Sequence, residues 1–512
     1  MIKRIIFCLF VFNAILFKSQ AQFLDSAFGT AGIVSYTPNS TYGFIYDAGA
    51  INSQQKIIVS GSYTSPTNPY PYYTTNIVQR LNSNGTVDNT FNSVVMPPNN
   101  LYPSVPNFYF TNIFIQPNQK ILLGDAMFRK IIRLNENGTY DYGFGNNGVI
   151  DGSVIYPFLN DRGLSAFGLR NIFVTNANKI LVCLSALENQ ETKTVVLRLN
   201  ENGTMDTTFG NNGVVIQDGF YGNLITQDDS KLVLISQDDS LVINKKRYSS
   251  EGLLDISYNN QPLVYTPLNG YSTNFVKAKG KDNNVYIYGI SLSSVNLVNI
   301  ITLIKINQNG EIETTFGTNG VVNESYYSNN NNYYVDNNIS FPELLLDANN
   351  NIFVACTVSP TVTPVNYNHY IKKFTSNGTV DQSFGINGIV EVELNYSERI
   401  RAALITLDNK IMTFGNYQTP NKGIIAQILN NNTLLSIDNV AKKHFKIYPN
   451  PVADFLYIDN LKNNNSMAKI FDLNGRLILS ISIKNNLIDI KELQTGSYLL
   501  KIGDDSQKFI KK

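Results

Sequence analysis

Between residues 25 and 438 short apolar runs alternate with polar turns, and the alternation returns in a fixed order. A polar turn leads into a strand-like run in NSQQKIIVSG (52 to 61), PNQKILLGD, NANKILVCL, QDDSKLVLI, KDNNVYIYG, ANNNIFVAC and LDNKIMTFG. A second such run then leads to a polar step, most often Asn-Gly: NIVQRLN, KIIRLN, TVVLRLN, LVINKKRY, LITLIKIN, YIKKF and GIIAQIL. Runs this short, rich in Val, Ile, Phe and Tyr and bounded by Asn, Asp and Gly, predict strands, and no long amphipathic helix is expected among them. Asn-Gly supplies the positive φ values that a type I′ hairpin turn requires, so tight hairpins are expected there.

A longer phrase punctuates these runs. Asn-Gly is followed three residues later by an acid and then by Phe-Gly in NGTVDNTFN (84 to 92), NGTYDYGFGNNG (137 to 148), NGTMDTTFGNNG (202 to 213), NGEIETTFGTNG (309 to 320) and NGTVDQSFGING (377 to 388). EGLLDISYNN (251 to 260) is a weaker copy, and LDSAFGTAG from Leu24 is a half copy. The acid falls at Asp25, Asp88, Asp141, Asp206, Asp255, Glu313 and Asp381, with a degenerate last one at Asp438. Seven units of about 59 residues therefore start near 25, 88, 141, 206, 255, 313 and 381. Each supplies about four strands, one of them beginning at the Gly-Ile-Val after Phe-Gly.

Four antiparallel strands repeated seven times predict an all-β fold, a seven-bladed β-propeller, with a stacked β-solenoid as the alternative. The half copy at the start lacks the strand that the last unit, GIIAQILNNN, carries without a following Phe-Gly. Residues near 24 to 34 are expected to pack beside residues near 423 to 438 and close the ring. With LNENGTYDYGFGNNGVI and LNENGTMDTTFGNNGVV followed by the polar turn and KILV, residues 25 to 438 resemble the delta-60 repeat family of bacterial β-propellers. That resemblance implies a fold and little chemistry.

The two ends carry addresses. Lys3 and Arg4, an apolar stretch from Ile5 to Phe17, and small residues at Ser19 and Ala21 form a secretory signal peptide (1 to 21) with cleavage expected between Ala21 and Gln22. Cys8 lies too early for a lipoprotein site. No other segment is apolar for long enough to span a membrane, so the mature chain is expected to have no transmembrane segment.

The propeller is assigned to 22 to 438 and a linker to 439 to 444. Residues 445 to 512 then read as alternating strands and turns, a small β-sandwich. This segment resembles the type A C-terminal sorting domain of the type IX secretion system of Bacteroidetes, through Tyr448, Pro449, Asn450 and Pro451, Asp472, Asn474, Gly475 and Arg476, Gly496, Ser497, Tyr498 and Leu499, and the basic end at Lys511 and Lys512. The resemblance implies export through the periplasm, recognition by the outer-membrane translocon, and a secreted or surface location.

Composition narrows the chemistry. The chain has 40 basic and 39 acidic residues, only 15% charged residues and no Trp, and it shows no basic stripe of the kind nucleic acid needs. His369 and His444 are its two histidines, so His-based triads and zinc sites lack members. Cys183 and Cys356 fall in different units, too far apart for a disulfide, and read as buried apolar residues.

No catalytic, cofactor or metal residue is assigned. The Asp/Asn-rich turns at 282 to 284 and 347 to 351 leave calcium as an open alternative to no cofactor, although neither matches an EF-hand loop. An acid repeated in every unit suits a backbone-capping turn better than a catalytic pair.

The long connections 35 to 47, 62 to 75, 95 to 109, 151 to 169, 323 to 340 and 358 to 369 should share one face of the ring. That face is where binding is expected. Tyr63, Tyr70, Tyr72 and Tyr73, and Tyr326, Tyr327, Tyr333 and Tyr334, are its candidate ligand residues, since tyrosine combines a flat apolar ring with a polar tip. The expectation is a non-enzymatic module that binds a glycan or a protein. A carboxylate-dependent polysaccharide hydrolase or lyase and a structural surface protein are the alternatives.

Overall fold

The computed structural model describes residues 23–37, 43–65, 73–96, 110–293, 299–326, 333–335, 342–360, 368–392, 398–417, 422–430, 446–459, 467–472, 477–483, 485–502 and 505–512. The chain divides into two units, Met1–Asn432 and Thr433–Lys512.

In the first unit the described strands form seven antiparallel sheets. In the first of them Phe44–Ile51, Ile57–Ser65, Tyr73–Leu81 and Val94–Met96 lie side by side in chain order. The innermost strands of successive sheets are Phe44–Ile51, Phe110–Ile115, Leu164–Val174, Phe220–Thr226, Tyr271–Lys281, Glu343–Leu346 and Glu398–Ile405, and each packs against the next, the last against the first. Such a closed ring of radial sheets is a β-propeller.

Each middle strand is covered on both faces by neighbouring blades. Ile121–Asp125, Leu232–Gln237 and Gly423–Ile428 are buried at every position, which is why the sequence reads as continuous apolar runs there and not as strict alternation.

Blades and sequence repeats are out of phase by one strand, because the outer strand of each blade comes from the Gly-Ile-Val that opens the next repeat. The offset closes the ring. Ile33–Tyr36 pairs with Gly423–Ile428, with Ile33 opposite Ala426, Leu24 bridges Ile428, and the Leu429 N–H donates to the Phe23 carbonyl at 2.9 Å. The termini of the repeat region thus meet as their complementary halves require.

Two local expectations are corrected. The Asn-Gly pairs do not form type I′ turns: in Asn82–Thr86 only Gly85 has positive φ (84°), and the Gly85 and Asn82 N–H groups bond the Asn82 and Thr86 carbonyls. This is a three-residue loop, a type I turn followed by a left-handed residue, and the Asn84 side chain holds it by accepting from the Thr86 N–H.

The fourth blade has three strands, not four. Pro262 and Pro267, which lack N–H donors, interrupt the segment that would form its edge, and the Leu263 N–H bond to the Ile243 carbonyl is what remains of the pairing. The connection 151 to 169 contains one short helix, Gly152–Asn160, whose Ile155 and Leu159 are one turn apart and bury together against the third blade.

The second unit contains two antiparallel sheets. Lys446–Tyr448, Phe455–Asp459 and Leu487–Asp489 form one; Leu477–Ser482, Met467–Asp472, Gly496–Ile502 and Asp505–Lys511 form the other. Val452, Leu456, Ile458, Ala468, Ile470, Ile488, Leu500 and Phe509 fill its core.

Candidate binding surfaces

The repeated acid is the centre of a joint between blades. In four blades an arginine eight residues before the acid, on the strand leading into the turn, bonds it: Arg80 to Asp88, Arg133 to Asp141, Arg198 to Asp206 and Arg247 to Asp255, with Nε to Oδ2 distances of 2.8, 2.6, 2.8 and 2.9 Å. The same carboxylate oxygen meets the lysine of the polar turn, Lys56, Lys120, Lys179 or Lys231, within 3.3 Å.

The arginine also reaches across to the next blade. Its Nη1 donates to the carbonyl of Glu136, Glu201, Ser250 or Gln308, the residue two before the turn glycine in the first two cases and likewise in the others. Its guanidinium lies over the ring of Phe91, Phe144, Phe209 or Tyr258, 4.4 to 5.1 Å from the centroid.

The Phe-Gly step completes the joint. The Gly145 N–H donates to the Asn202 carbonyl, and Gly203, at φ 88°, sits so close to the Phe144 ring that a Cβ would come within 3.0 Å of it. Asn, Gly, Asp, Phe and Gly therefore recur together because one repeat's Phe-Gly packs under the next repeat's Asn-Gly.

The acid does accept turn N–H groups, as expected. Asp88 Oδ1 takes the Thr90 N–H and hydroxyl at 3.0 and 2.6 Å. The Thr90 hydroxyl, together with the Thr90 N–H, Lys56 and Arg80 and against the opposing effect of burial, holds the Asp88 carboxyl well below the usual carboxylate range. Such a group is an anion held by the turn and by two cations.

Consecutive strands run antiparallel, so the polar turns and Asn-Gly turns share one face and the long connections share the other. At the latter face the innermost strands are bulged at equivalent positions. The pairing skips Asp47, Thr111, Arg170, Val276 and Arg401, and in the fourth blade Tyr221 and Gly222. A bulge re-aims its side chain, and these positions recur at one level of the innermost strands, toward the face of the long connections.

Asp47 accepts the Ser62 hydroxyl at 2.7 Å, and Arg170 makes the corresponding bond to Ser185 at 2.7 Å. Burial pushes the Asp47 carboxyl up to about 6, opposed by the Ser62 hydrogen bond and by the positive charge of Arg401 in the adjoining blade. Between the inner strands of the fifth and sixth blades Lys277 pairs with Glu343 at 2.9 Å. Sequence reasoning missed this rim, since a bulge leaves no spacing signal. It also missed the arginine, although an Arg or Lys eight residues before the acid recurs at 80, 133, 198, 247, 305 and 373.

The tyrosine candidates fare unevenly. Tyr326 is corrected: it is 3% exposed, its hydroxyl is 2.6 Å from that of Tyr288, and its ring packs edge-on against Tyr370, so it belongs to the core. Tyr63 lies in the strand Ile57–Ser65, half-buried against the Phe44 and Tyr46 cluster. Tyr73 lies on the strand Tyr73–Leu81, and Tyr333 and Tyr334 on Tyr333–Val335. Tyr70, Tyr72 and Tyr327 fall outside the described residues, as do Ala21, Gln22, Gly475 and His444.

His369 is buried with Nδ1 3.2 Å from Thr413 Oγ1, and burial lowers its pKa to about 4. Cys183 and Cys356 are buried free thiols, and burial pushes the Cys183 thiol up to about 12. Among the described residues, no group of three or more His, Cys, Asp or Glu is placed to hold a metal ion.

In the second unit the Tyr448-Pro449 and Asn450-Pro451 peptides are both cis, and the Tyr448 ring stacks on Tyr457 at 5.7 Å. Asn450 Oδ1 accepts the Ile510 N–H at 2.9 Å, tying the entry motif to the last strand. Gly496 opens the penultimate strand and pairs with Lys511, while Asp472 closes Met467–Asp472 opposite Tyr498. The Tyr498 hydroxyl donates to the Gln494 carbonyl at 2.9 Å and its ring stacks on Phe509.

A family model described as a secretion system C-terminal sorting domain matches residues 446–512. The second unit is a secretion sorting domain. It marks the chain for recognition by the type IX secretion system and for export to the cell surface or extracellular space. No helix among the described residues is long and apolar enough to cross a membrane.

A second model, described as a domain of unknown function (DUF5122) β-propeller, matches residues 56–91 and 178–209. These stretches end on Phe91 and Phe209 and include Lys56 and Lys179, so what they share is the joint.

No curated protein sequence matches the chain. Among solved structures it is similar to a polysaccharide lyase, Uly1 (10% identity, TM-score 0.45, 76% of this chain and 90% of that one), and to a streptogramin B lyase (12%, 0.40, 77% and 97%). The β-propeller domain of Nup133 from Vanderwaltozyma polyspora is also similar (10%, 0.38, 77% and 99%). Identities and scores this low support no functional conclusion.

Proposed function

We propose that this is an exported, non-enzymatic binding propeller whose ligand, a glycan or a protein, docks on the face bearing the long connections, over the channel mouth. One observation carries the reading. At a single equivalent bulge the blades present different side chains, Asp47, Thr111, Arg170, Val276 and Arg401, whereas the opposite face repeats one arginine–aspartate joint four times. A rigid ring with chemically varied residues at one mouth suits recognition of an irregular polar ligand.

The test is a titration of the purified full-length mature protein against polysaccharides and surface glycoproteins, with polymer length followed in parallel. Saturable binding that weakens in Arg170→Ala or Arg401→Ala, with polymer length unchanged, supports the reading.

A carboxylate-dependent hydrolase or lyase is the second reading, favoured by the raised pKa of Asp47, which suits a general acid near neutral pH. Chain shortening that disappears in Asp47→Asn would establish it in place of the first.

A further inference from the structure

The seam where the ring closes has every part of the joint but one. At the position occupied by Arg80, Arg133, Arg198 and Arg247 in four of the other joints, and by Lys305 and Lys373 in two, stands Gln427, whose carbonyl accepts the Asp25 N–H as the Arg80 carbonyl accepts that of Asp88. Phe28 is buried below, the Gly29 N–H bonds the Asn84 carbonyl, and Lys410 bridges Asp25 at 2.7 Å. In those four joints the corresponding carboxylate oxygen holds a lysine and a guanidinium together.

Glutamine ends short of where a guanidinium would lie, and a cavity of about 200 Å³ opens there, lined by Asp25, Ser83, Asn84, Asp408, Lys410 and Gln427 among others. Its ionised groups are two carboxylates against one ammonium, a net negative charge. Ser83 precedes Asn84 as Glu136 precedes Asn137, so its carbonyl corresponds to the one that accepts Arg80 Nη1.

We infer that this seam cavity is a guanidinium-binding site, on the face opposite the long connections, for an arginine side chain or a small guanidino compound. The molecule itself supplies the template. Four times over, the same set of acceptors, a carboxylate oxygen, a backbone carbonyl and the face of an aromatic ring, holds a guanidinium, which is planar and weakly hydrated and so suits a partly buried site better than an ammonium. At the seam Asp25 and Ser83, the counterparts of the carboxylate and carbonyl acceptors, line a cavity, while Phe28 lies buried outside its lining, so an external guanidinium can engage the two oxygen acceptors. The inference does not depend on what binds at the opposite mouth.

The test uses the full-length mature protein titrated calorimetrically with methylguanidinium, with methylammonium, and with the peptide Gly-Arg-Gly. The expected result is saturable binding of methylguanidinium at least tenfold tighter than methylammonium. It should be weakened about tenfold in Asp25→Asn and lost in Gln427→Arg, which places the missing group inside the chain. Because Gln427→Arg introduces the residue found in four other joints, it should also raise the thermal midpoint by about 2 °C.

Tighter binding of Gly-Arg-Gly than of methylguanidinium would identify an arginine side chain as the source; the reverse order would identify a small guanidino compound. Equal affinity for methylguanidinium and methylammonium, or binding undiminished in a folded Gln427→Arg, would overturn the inference.

Discussion

Replacing Arg198 by methionine keeps the stem over Phe209 and removes the guanidinium from the joint between the third and fourth blades. Arg198 is 5% exposed and bonds Asp206 Oδ2 at 2.8 Å, the Ser250 carbonyl at 2.8 Å and Glu251 Oε2 at 2.7 Å. Breaking a buried pair from one side costs about 3–5 kcal/mol when the remaining charge is left alone. Here Asp206 keeps Lys179 at 2.9 Å, although that lysine is 33% exposed, and Glu251 is 59% exposed and adds little.

The expected loss is therefore about 2–4 kcal/mol of joint stability. The reporter is the Gly210 amide, which donates to the Glu251 carbonyl across the same joint at 2.8 Å and is released when the joint opens. Its hydrogen exchange should accelerate by about 30- to 1000-fold in Arg198→Met. Glu251→Gln, which removes only the exposed partner, should change it by no more than about fivefold. Acceleration in Arg198→Met no greater than in Glu251→Gln would refute the view that the buried guanidinium holds the blades together.

Three further outcomes follow from the same geometry. Asp47 is ionised more readily unfolded (3.8) than folded (about 6), so it opposes folding increasingly between pH 4 and 6 and fully above. Asp47→Asn should therefore stabilise the protein at pH 7.5 by up to about 3 kcal/mol and hardly at all at pH 3.5; equal denaturation midpoints of variant and parent at pH 7.5 would count against it.

Asp88, Asp206 and Asp255 have lowered pKa values, so their stabilisation is present above pH 4 and is lost as pH falls through that value toward their folded ones; thermal midpoints should drop steeply below pH 4 and be flat above it with respect to these groups. Gly138→Ala should destabilise by about 2 kcal/mol or more, because φ is +87° and the new Cβ would lie 2.4 Å from the Asn92 carbonyl oxygen; an unchanged urea midpoint would show that the turn can relax.

The sequence by itself determined what repeats. Alternation of short apolar runs with Asn and Gly gave the strands, the interval between acids gave the units, and the unmatched halves at Leu24 and Ile428 required the ring to close, because each is one part of a single sheet. It also gave the sorting domain, whose Tyr448 to Pro451 entry and Gly496 to Leu499 strand are local sequence features. Local chemistry is legible because turn residues and strand residues act through their own backbone.

Only the tertiary structure decided what differs between units. That Arg80 belongs with Asp88 and with the Glu136 carbonyl of the next blade, that Tyr326 faces the core while the charge of Arg401 acts on Asp47 in the adjoining blade, and that Gln427 lines a cavity at the seam are all relations between blades. They join residues far apart in sequence, and a burial, a bulge or a missing guanidinium becomes visible only when packing has brought those residues together.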